Sequence, residues 1–242
     1  MRVLIVGAAG RLGRVLTAEL GGEHDLLLGD VRPVDDPRYV PLDVRDASQV
    51  RAAVANADAV IHLAIVDSEN FGGDTLEYAQ AALEVHVIGA HHVLRAAADL
   101  GRKRVLYAST VSAVAGYPPD VMVGSDDGPR GGGTYGVTKG LGEELCRHFH
   151  EGRGLPVVVL RLGNVYFADP TWNRHGSHPS RVDASDVAQA FARVLRTPEP
   201  PFALVHIVGN NGHHGWDREA ARRLYGWEPR QRFGTDGAPL RD

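Results

Sequence analysis

The chain has 242 residues, a formal net charge of −4 and 43% hydrophobic residues. This composition supports a buried core, and the length fits one domain with a small addition. The acidic balance argues against proteins that bind nucleic acid or anionic membrane surfaces. A single cysteine, Cys146, excludes a disulfide scaffold. We find no leader-like opening and no apolar run of the roughly 18 residues that a membrane helix needs, so we expect a cytoplasmic protein.

A glycine loop lies between the first predicted strand and the first predicted helix. Residues 2–6 are apolar and rich in β-branched side chains, which indicates a buried strand. Gly7, Gly10 and Gly13 follow directly, and residues 11–20 carry apolar side chains at helical spacing. Backbone N–H groups at such a turn, together with the helix dipole, favour the phosphates of a dinucleotide. An ordinary glycine-rich turn is the alternative, because the spacing differs from the common dinucleotide fingerprint.

A carboxylate follows the second predicted strand. Asp30 lies 17 residues after Gly13, close to the spacing of a carboxylate that holds the adenosine ribose hydroxyls. Its negative charge would repel a 2′-phosphate, so we predict NAD rather than NADP as the cofactor. Arg32 is the counter-signal, since a nearby arginine can accept that phosphate. Asp30 as a plain turn residue is the alternative.

Strand and helix patterns alternate along the chain. Strand patterns cover residues 2–6, 25–28, 39–42, 59–63, 104–108, 157–162 and 204–208, and helix patterns cover residues 11–20, 47–55, 74–100, 136–151, 185–196 and 217–225. This alternation predicts an α/β fold with a doubly wound parallel sheet. Ligands bind such sheets at the carboxyl ends of the strands. Gly7, Asp30, Ala64 and Ser109 all follow strand ends, so we expect them to meet at one crevice.

A tyrosine and a lysine four residues apart supply the chemistry. Tyr135 and Lys139 fall on one face of a predicted helix. The lysine charge is expected to lower the pKa of the tyrosine, so that its hydroxyl can exchange a proton with a substrate hydroxyl. Ser109, Thr110 and Ser112, which follow a predicted strand, offer a hydroxyl to orient the substrate oxygen. A chance Tyr-x-x-x-Lys pair is common, but the glycine loop and the serine-threonine segment make the combination specific.

These motifs resemble the extended short-chain dehydrogenases and reductases, which include the NAD-dependent epimerases and dehydratases. The resemblance rests on GAAGRLG, LDVRD, VIHLA, YAST and YGVTK and covers residues 1 to about 165. It implies a Rossmann-like dinucleotide-binding domain with Thr110, Tyr135 and Lys139 as the catalytic residues. The implied cofactor-binding residues are Gly7, Ala9, Gly10, Arg11, Leu12, Gly13, Asp30, Arg32, Asp43, Val44, Leu63, Ala64, Ile65, Ser109, Tyr135 and Lys139. In that family the residue at Asp43 contacts the adenine, and Leu63 and Ala64 line the nucleotide.

Within this family the chain is similar to the bacterial uronate dehydrogenases. The segments GAAGRLGRV, YGVTKGLGE and GHHGWDREAARRLYGWEPR carry this likeness. Only 80 residues follow Leu162, which is short for a lobe that holds a nucleotide sugar. We therefore predict a small substrate-binding portion at residues 166–242, packed on the first domain at residues 1–165, with residues 183–208 returning to its core. The resemblance implies oxidation of a sugar acid or sugar at the anomeric hydroxyl, which gives a lactone.

The predicted substrate-binding residues combine matches to the uronate dehydrogenases with departures from them. They are Thr110, Val111, Ser112, Asn164 and Arg174. Arg174 matches the arginine that holds the substrate carboxylate in those enzymes, and a bidentate guanidinium suits this task. A solvated loop arginine is the alternative. Val111 and Ser112 stand where relatives carry Asn-His, so another sugar or alcohol stays open as the substrate.

Two other functions remain open from the sequence. One is a nucleotide-sugar epimerase or dehydratase, and the other is a non-catalytic NmrA-like sensor that binds a dinucleotide without turnover. The histidine groups His91-His92, His148 with His150, and His213-His214 lack carboxylate or cysteine partners at ligand spacing, so we predict no metal site. The resemblance also implies a homodimer or higher oligomer that pairs the helices predicted at residues 74–100 and 136–151. It further places His86 where relatives often have an asparagine.

Overall fold

The structure is a computed structural model that describes residues 1–101, 104–169, 178–198, 200–211, 215–234 and 239–240. Its centre is a seven-stranded sheet in which every pairing is parallel. The strands are β1 (Arg2–Val6), β2 (Asp25–Asp30), β3 (Tyr39–Pro41), β4 (Ala59–His62), β5 (Arg104–Thr110), β6 (Val157–Leu162), β7 (Val165–Tyr166), β8 (Val182–Asp183) and β9 (Phe202–Ile207). Of these, β7 and β8 form a separate two-stranded sheet.

The helices lie on both faces of the large sheet. They are α1 (Arg11–Leu20), α2 (Ala47–Ala55), α3 (Leu76–Ala82), α4 (Ala90–Asp99), α5 (Gly133–Arg153), α6 (Ala184–Arg196) and α7 (Glu219–Tyr225). A π-helical turn at Leu83–Gly89 joins α3 to α4, and short 3₁₀ turns lie at Ser68–Phe71 and Val111–Val114. Among the described residues, no helix is both long and apolar enough to cross a membrane.

The strand order confirms the predicted doubly wound sheet. The order is β3-β2-β1-β4-β5-β6-β9, so the chain winds outward from β1 in one direction and then in the other. The order reverses between β1 and β4, where a crevice opens at the carboxyl ends of the strands in folds of this kind. The fold is therefore Rossmann-like, and the glycine loop that follows β1 lies at this reversal.

Side chains that alternate along each strand build a core on either face of the sheet. In β1, Val3 and Ile5 join a cluster with α1, α6 and α7, whereas Leu4 and Val6 join a cluster with α2, α4 and α5. This follows from the two-residue period of a strand. Trp227, which is 1% exposed, closes the first cluster and donates its indole N–H to the Asp186 carbonyl at 2.9 Å. Both faces are covered, as an all-parallel sheet requires.

Local signals set the helix boundaries. Asp46 caps α2 by accepting hydrogen bonds from the backbone N–H groups of Ser48 and Gln49, and Asp183 caps α6 through Ser185. The helix predicted over residues 74–100 instead begins after its cap Thr75 and contains the π-helical turn. The sequence predicted neither that turn nor the two-residue strands β7 and β8.

Candidate active site

Four strand ends meet at one cavity of about 280 Å³. The glycine loop after β1 lies on one side, and residues at the carboxyl ends of β4, β5 and β6, the first turn of α5 and the segment around β7 complete the lining. The lining residues are Gly7, Gly10, Arg11, Leu12, Gly13, Leu63, Ile65, Ala108, Ser109, Thr110, Tyr135, Leu162, Gly163, Asn164, Val165 and Phe167. The structure thus brings the predicted glycine loop together with the predicted Tyr135 and Thr110.

The glycine loop fits the phosphates of a dinucleotide. Gly7 has a φ of +93°, which favours glycine, and a Cβ at Gly13 would lie 2.5 Å from the Gly7 carbonyl oxygen. Gly10 caps α1 without a side chain, and the first turn of α1 carries no acidic residue. The N-terminal N–H groups of α1 therefore meet the cavity with neither a side chain nor a negative charge in the way. This is the arrangement that accepts a pyrophosphate.

Asp30 anchors this loop from the end of β2. Its side chain is 6% exposed; Oδ2 accepts a hydrogen bond from the Ala9 N–H, and Oδ1 accepts one from the Arg32 N–H, both at 2.9 Å. The Arg32 guanidinium, 65% exposed, reaches the same carboxylate with Nε at 3.5 Å. Asp30, Ala9 and Arg32 do not line the 280 Å³ cavity. They lie beside the glycine loop, at the edge where the sequence predicts the adenosine.

Other predicted cofactor residues lie outside the cavity lining. The Asp43 carboxylate forms a two-pronged ion pair with Arg45, and these hydrogen bonds lower the pKa of Asp43. Val44 is buried and packs closely against Gly89, since a Cβ on Gly89 would collide with the Val44 side chain. Ala64, which follows β4, packs closely against Gly7. A Cβ on Gly7 would lie only 3.0 Å from the Ala64 nitrogen.

Tyr135 lies in the first turn of α5 and faces the cavity. Burial raises its pKa to about 12, and a hydrogen bond with the Thr110 side chain opposes this rise. The Thr110 hydroxyl also accepts a hydrogen bond from the Ser112 N–H at 3.1 Å. Ser109 differs, because its hydroxyl donates to the buried Glu143 carboxylate. Of the two neighbouring hydroxyls, the structure therefore brings that of Thr110 to Tyr135.

Lys139 lies one turn further along α5 and is 1% exposed. Its Nζ is 4.1 Å from the centroid of the Tyr107 ring. Burial lowers the pKa of Lys139 to about 8. The sequence predicts that Lys139 lowers the pKa of Tyr135, but in the structure the effect of burial on Tyr135 dominates and raises it. The reason is that both side chains are desolvated, and desolvation disfavours the charged form of each.

His86 connects the catalytic helix to the loop after β4. Its Nε2 accepts a hydrogen bond from the Val66 N–H at 3.0 Å, so the ring proton lies on Nδ1 and is donated to the Thr138 hydroxyl at 2.9 Å. Burial lowers the pKa of His86 to about 3, which keeps the ring neutral. Its ring meets that of Tyr135 edge-on, with the centroids 5.7 Å apart. The sequence marked His86 only as a departure from relatives.

The loop after β6 supplies lining residues that sequence reasoning largely missed. Asn164 was predicted, whereas Gly163, Val165 and Phe167 were not. A Cβ on Gly163 would collide with the Ser180 carbonyl. The glycine that follows the LRL segment at the end of β6 was therefore the one sequence signal that could have indicated this part of the cavity. The Arg11 guanidinium lies 5.8 Å from the Phe167 ring centroid at the same cavity.

The remaining predicted substrate residues do not line the cavity. Val111 is buried and Ser112 lies in the same 3₁₀ turn, beside the lining residue Thr110. Arg174 lies outside the described residues.

A family model matches residues 3–183, which include the glycine loop, Tyr135 and Lys139, and its description is "NAD dependent epimerase/dehydratase family". The chain belongs to this family. The matched residues include the loop after β1 and the tyrosine on α5, which line the cavity described above. The match covers well over half of the chain, including eight of the nine strands.

Individual relatives within the family are similar over nearly the full chain. A uronate dehydrogenase of Agrobacterium fabrum is 31% identical over 95% of this chain and 84% of its own. An L-arabinose 1-dehydrogenase (NAD(P)(+)) of Haloferax volcanii is 28% identical over 97% of this chain and 98% of its own. The crystal structure of an Agrobacterium tumefaciens uronate dehydrogenase variant complexed with NAD superposes with a TM-score of 0.82 and 27% identity, covering 100% of this chain and 91% of that one.

Proposed function

We propose that the protein is an NAD-dependent dehydrogenase that oxidises a small sugar acid or sugar at the anomeric hydroxyl and so produces a lactone. The observation that carries this proposal is that Tyr135 and Thr110 line the same cavity as the glycine loop. Membership of an NAD-dependent family supports the cofactor. The similarity to a uronate dehydrogenase and an arabinose dehydrogenase supports the substrate class.

The residues around the cavity fit NAD. The glycine loop, which has no room for a Cβ at Gly13, would hold the pyrophosphate. Asp30, which lies beside this loop, would accept hydrogen bonds from the adenosine ribose. Leu63 and Ile65 at the end of β4 give the cavity an apolar wall. NAD, when bound, supplies the acceptor for the hydrogen that leaves the sugar carbon. The Ser109 hydroxyl is already engaged, because it donates to Glu143. Ser109 would therefore contact the cofactor through its backbone.

Tyr135 is the proposed base. Its phenolate would take the proton of the anomeric hydroxyl while the Thr110 hydroxyl orients the substrate oxygen. Because burial raises the pKa of Tyr135 to about 12, the phenolate needs positive charge nearby to form at neutral pH. The ammonium of Lys139, one turn away, is the protein's own source of that charge. Oxidation at the anomeric carbon leaves the ring oxygen in place, so the direct product is a lactone.

The substrate is proposed to be small. The similarity to a uronate dehydrogenase and an arabinose dehydrogenase supports this, and we keep residues 166–242 as the proposed substrate-binding portion. Asn164 lines the cavity and can hydrogen-bond sugar hydroxyls, and Phe167 offers an apolar face. Arg174 is the proposed partner of a substrate carboxylate. A guanidinium binds a carboxylate in two-pronged fashion, which fixes the orientation as well as the charge.

A substrate screen with a matched variant tests the reaction. Uronic acids and neutral aldoses are mixed with NAD, and absorbance of the reduced cofactor is followed for the wild type and for Tyr135→Phe. Loss of the hydroxyl should lower kcat by about 10²–10⁴-fold and leave NAD binding intact. Below about pH 8, where Lys139 keeps its charge, the phenolate fraction of Tyr135 rises about tenfold per pH unit, so the oxidation rate should rise with pH over that range.

Each other outcome of the screen points to a different function. Sugar conversion without net reduction of NAD would instead support an epimerase or dehydratase. NAD binding without conversion of any sugar would support a sensor. A fully active Tyr135→Phe would mean that another group takes the proton.

The proposed carboxylate partner has its own test. Arg174→Ala should raise KM for a uronic acid by about 10-fold or more and leave KM for the matching neutral sugar nearly unchanged, because only the acid loses a charged partner. Arg153→Ala is the matched control, since Arg153 pairs with Asp99 on the surface. Equal effects of Arg174→Ala on both sugars would remove Arg174 from this role.

We also propose that the protein is a homodimer formed through α3, the π-helical turn, α4 and α5. Four large apolar side chains are exposed in the π-helical turn and on α5, namely Leu83, Ile88, Val137 and Leu141. Each is between 44% and 49% exposed in the single chain. A second copy that pairs the same helices would cover them, as the resemblance to extended dehydrogenases implies.

A further inference from the structure

Lys139 is almost completely buried and has no hydrogen-bond acceptor among the described residues. The residue is 1% exposed, and no described residue accepts a hydrogen bond from its Nζ or forms an ion pair with it. A buried charge is costly unless something compensates for it. The charge of Glu143, one turn along α5, favours the ammonium, but the Glu143 carboxylate accepts its hydrogen bonds from the Arg161 guanidinium and Ser109 and not from Lys139.

What the ammonium does meet is the face of an aromatic ring. Nζ lies 4.1 Å from the ring centroid of Tyr107, well inside the range of a cation–π contact. Such a contact is strongest when the cation is desolvated, as it is here. Tyr107 belongs to β5, the strand that ends in Thr110, so its ring is fixed in the sheet directly below α5.

The Tyr107 ring is tightly packed, and its hydroxyl group makes no hydrogen bond with the described residues. Tyr107 is fully buried, and its hydroxyl has no hydrogen-bond partner among the described residues. A Cβ on Gly142 would collide with that hydroxyl, so the glycine lets α5 settle closely onto the ring. The orphaned hydroxyl implies that the aromatic face, rather than the phenol oxygen, is what this position contributes.

We propose that Tyr107 is a positioning residue whose aromatic face holds the Lys139 ammonium in place beneath Tyr135. This inference rests on the proposed function, in which Lys139 supplies the positive charge that favours the Tyr135 phenolate. The ring compensates the buried charge without consuming any N–H donor of the lysine. All three donors thus stay available to a bound cofactor or substrate.

Two variants separate the ring face from the hydroxyl. Tyr107→Phe keeps the aromatic face, so kcat should change little beyond about twofold. Tyr107→Leu keeps an apolar side chain but removes the face, so kcat should fall about 10-fold or more while KM for NAD changes less. Equal losses in both variants, or wild-type kcat in Tyr107→Leu, would overturn the proposal.

The pH profile gives a readout that a packing defect alone would not move. Without the ring the ammonium is less favoured, so the pKa of Lys139 should fall and the loss of rate at alkaline pH should begin at lower pH. Tyr135, one turn away, also ionises, but burial raises its pKa to about 12 and its ionisation raises the rate, so it does not cause the alkaline loss. Burial lowers the pKa of both His62 and His86 to about 3, and burial raises the pKa of the Cys146 thiol. An unchanged alkaline limb in Tyr107→Leu would argue against the proposal.

A measurement without turnover keeps the proposal testable by itself. Because Nζ lies over the ring, the NMR resonances of the methylene protons beside it should be shifted upfield by the ring current in the wild type and in Tyr107→Phe. Lys139→Met assigns the resonance by removing it. An unshifted resonance in the folded wild type would overturn the inference even if the enzyme is active. A shifted resonance in a protein that oxidises no sugar would overturn only the proposed function. If Tyr107→Leu does not fold, the wild type and Tyr107→Phe still decide.

Discussion

Asp30 ties the glycine loop to the second strand and also controls the proposed choice of cofactor. Both of its oxygens accept backbone N–H groups, from Ala9 and Arg32. Each carboxylate oxygen retains a second lone pair, so Asp30 can accept from a ribose hydroxyl without releasing the loop. Its negative charge opposes a 2′-phosphate at the same place. The exposed Arg32 guanidinium, 3.5 Å away, works in the opposite direction.

These two charges predict a preference for NAD that Arg32 weakens. We expect kcat/KM to be higher with NAD than with NADP, and Arg32→Ala to lower the NADP value by no more than about fivefold, because an exposed ion pair is weak. The NAD value should hardly change. Arg38→Ala is the matched control, since Arg38 is paired locally with Asp36. A wild-type preference for NADP would contradict the assignment of Asp30.

At the scale of elements, one buried ion pair joins α5 to β6. The Arg161 guanidinium donates to both oxygens of Glu143, and the two side chains are 0% and 2% exposed. Ser109 of β5 donates to the same carboxylate, and Arg161 also donates to the Asp127 carbonyl at 2.9 Å. Helix α5 carries Tyr135, and β5 carries Thr110. The ion pair therefore fixes the relative position of the two proposed catalytic elements.

Removal of one partner should be far more damaging than removal of both. Arg161→Met leaves Glu143 buried without its cation and should lower the free energy of unfolding by about 3–5 kcal/mol. The double variant Arg161→Met with Glu143→Leu should recover much of that loss, because no uncompensated charge remains. Urea denaturation measures both. Arg222→Met, which breaks an exposed pair with Glu219, should change stability by less than about 0.5 kcal/mol. Equal losses in the single and double variants would contradict this account.

The large sheet was predictable from the sequence because its strands are short apolar runs between turn signals. The smaller elements were not. The two-residue strands β7 and β8 are too short to show a period, and the π-helical turn at Leu83–Gly89 has the same apolar spacing as the helices around it. That turn contains His86, whose bonds to Val66 and Thr138 join segments far apart in sequence. No local pattern encodes such a bridge.

In the candidate site, too, the sequence predicted some features and not others. Motifs placed the glycine loop, Thr110 and Tyr135, which line one cavity in the structure. The partner of Lys139 could not be read from the sequence, because Tyr107 sits in a strand pattern where any buried aromatic residue would fit. The raised pKa of Tyr135 was also beyond sequence reasoning, since desolvation depends on the packing around both side chains.

At the scale of the whole molecule, the exposed apolar side chains of the π-helical turn and α5 are a feature that the single chain leaves unexplained. Leu83, Ile88, Val137 and Leu141 are each nearly half exposed, and a cluster of such side chains is typically covered in oligomers. α5 also carries Tyr135 and Lys139 on its buried side. Dimerisation through this helix would therefore stabilise the element that holds the proposed catalytic pair.

We predict that light scattering at micromolar concentration gives twice the 26.0 kDa mass of the chain. Ile88→Glu combined with Leu141→Glu should give the single-chain mass, because burial of carboxylates in an apolar interface is costly. Met122→Glu is the matched control: it adds a charge at another exposed apolar side chain, 56% exposed and outside these helices, and should leave the dimer intact. A wild type that shows only the single-chain mass would contradict the dimer. A dimer that survives both glutamates would place the interface on another surface.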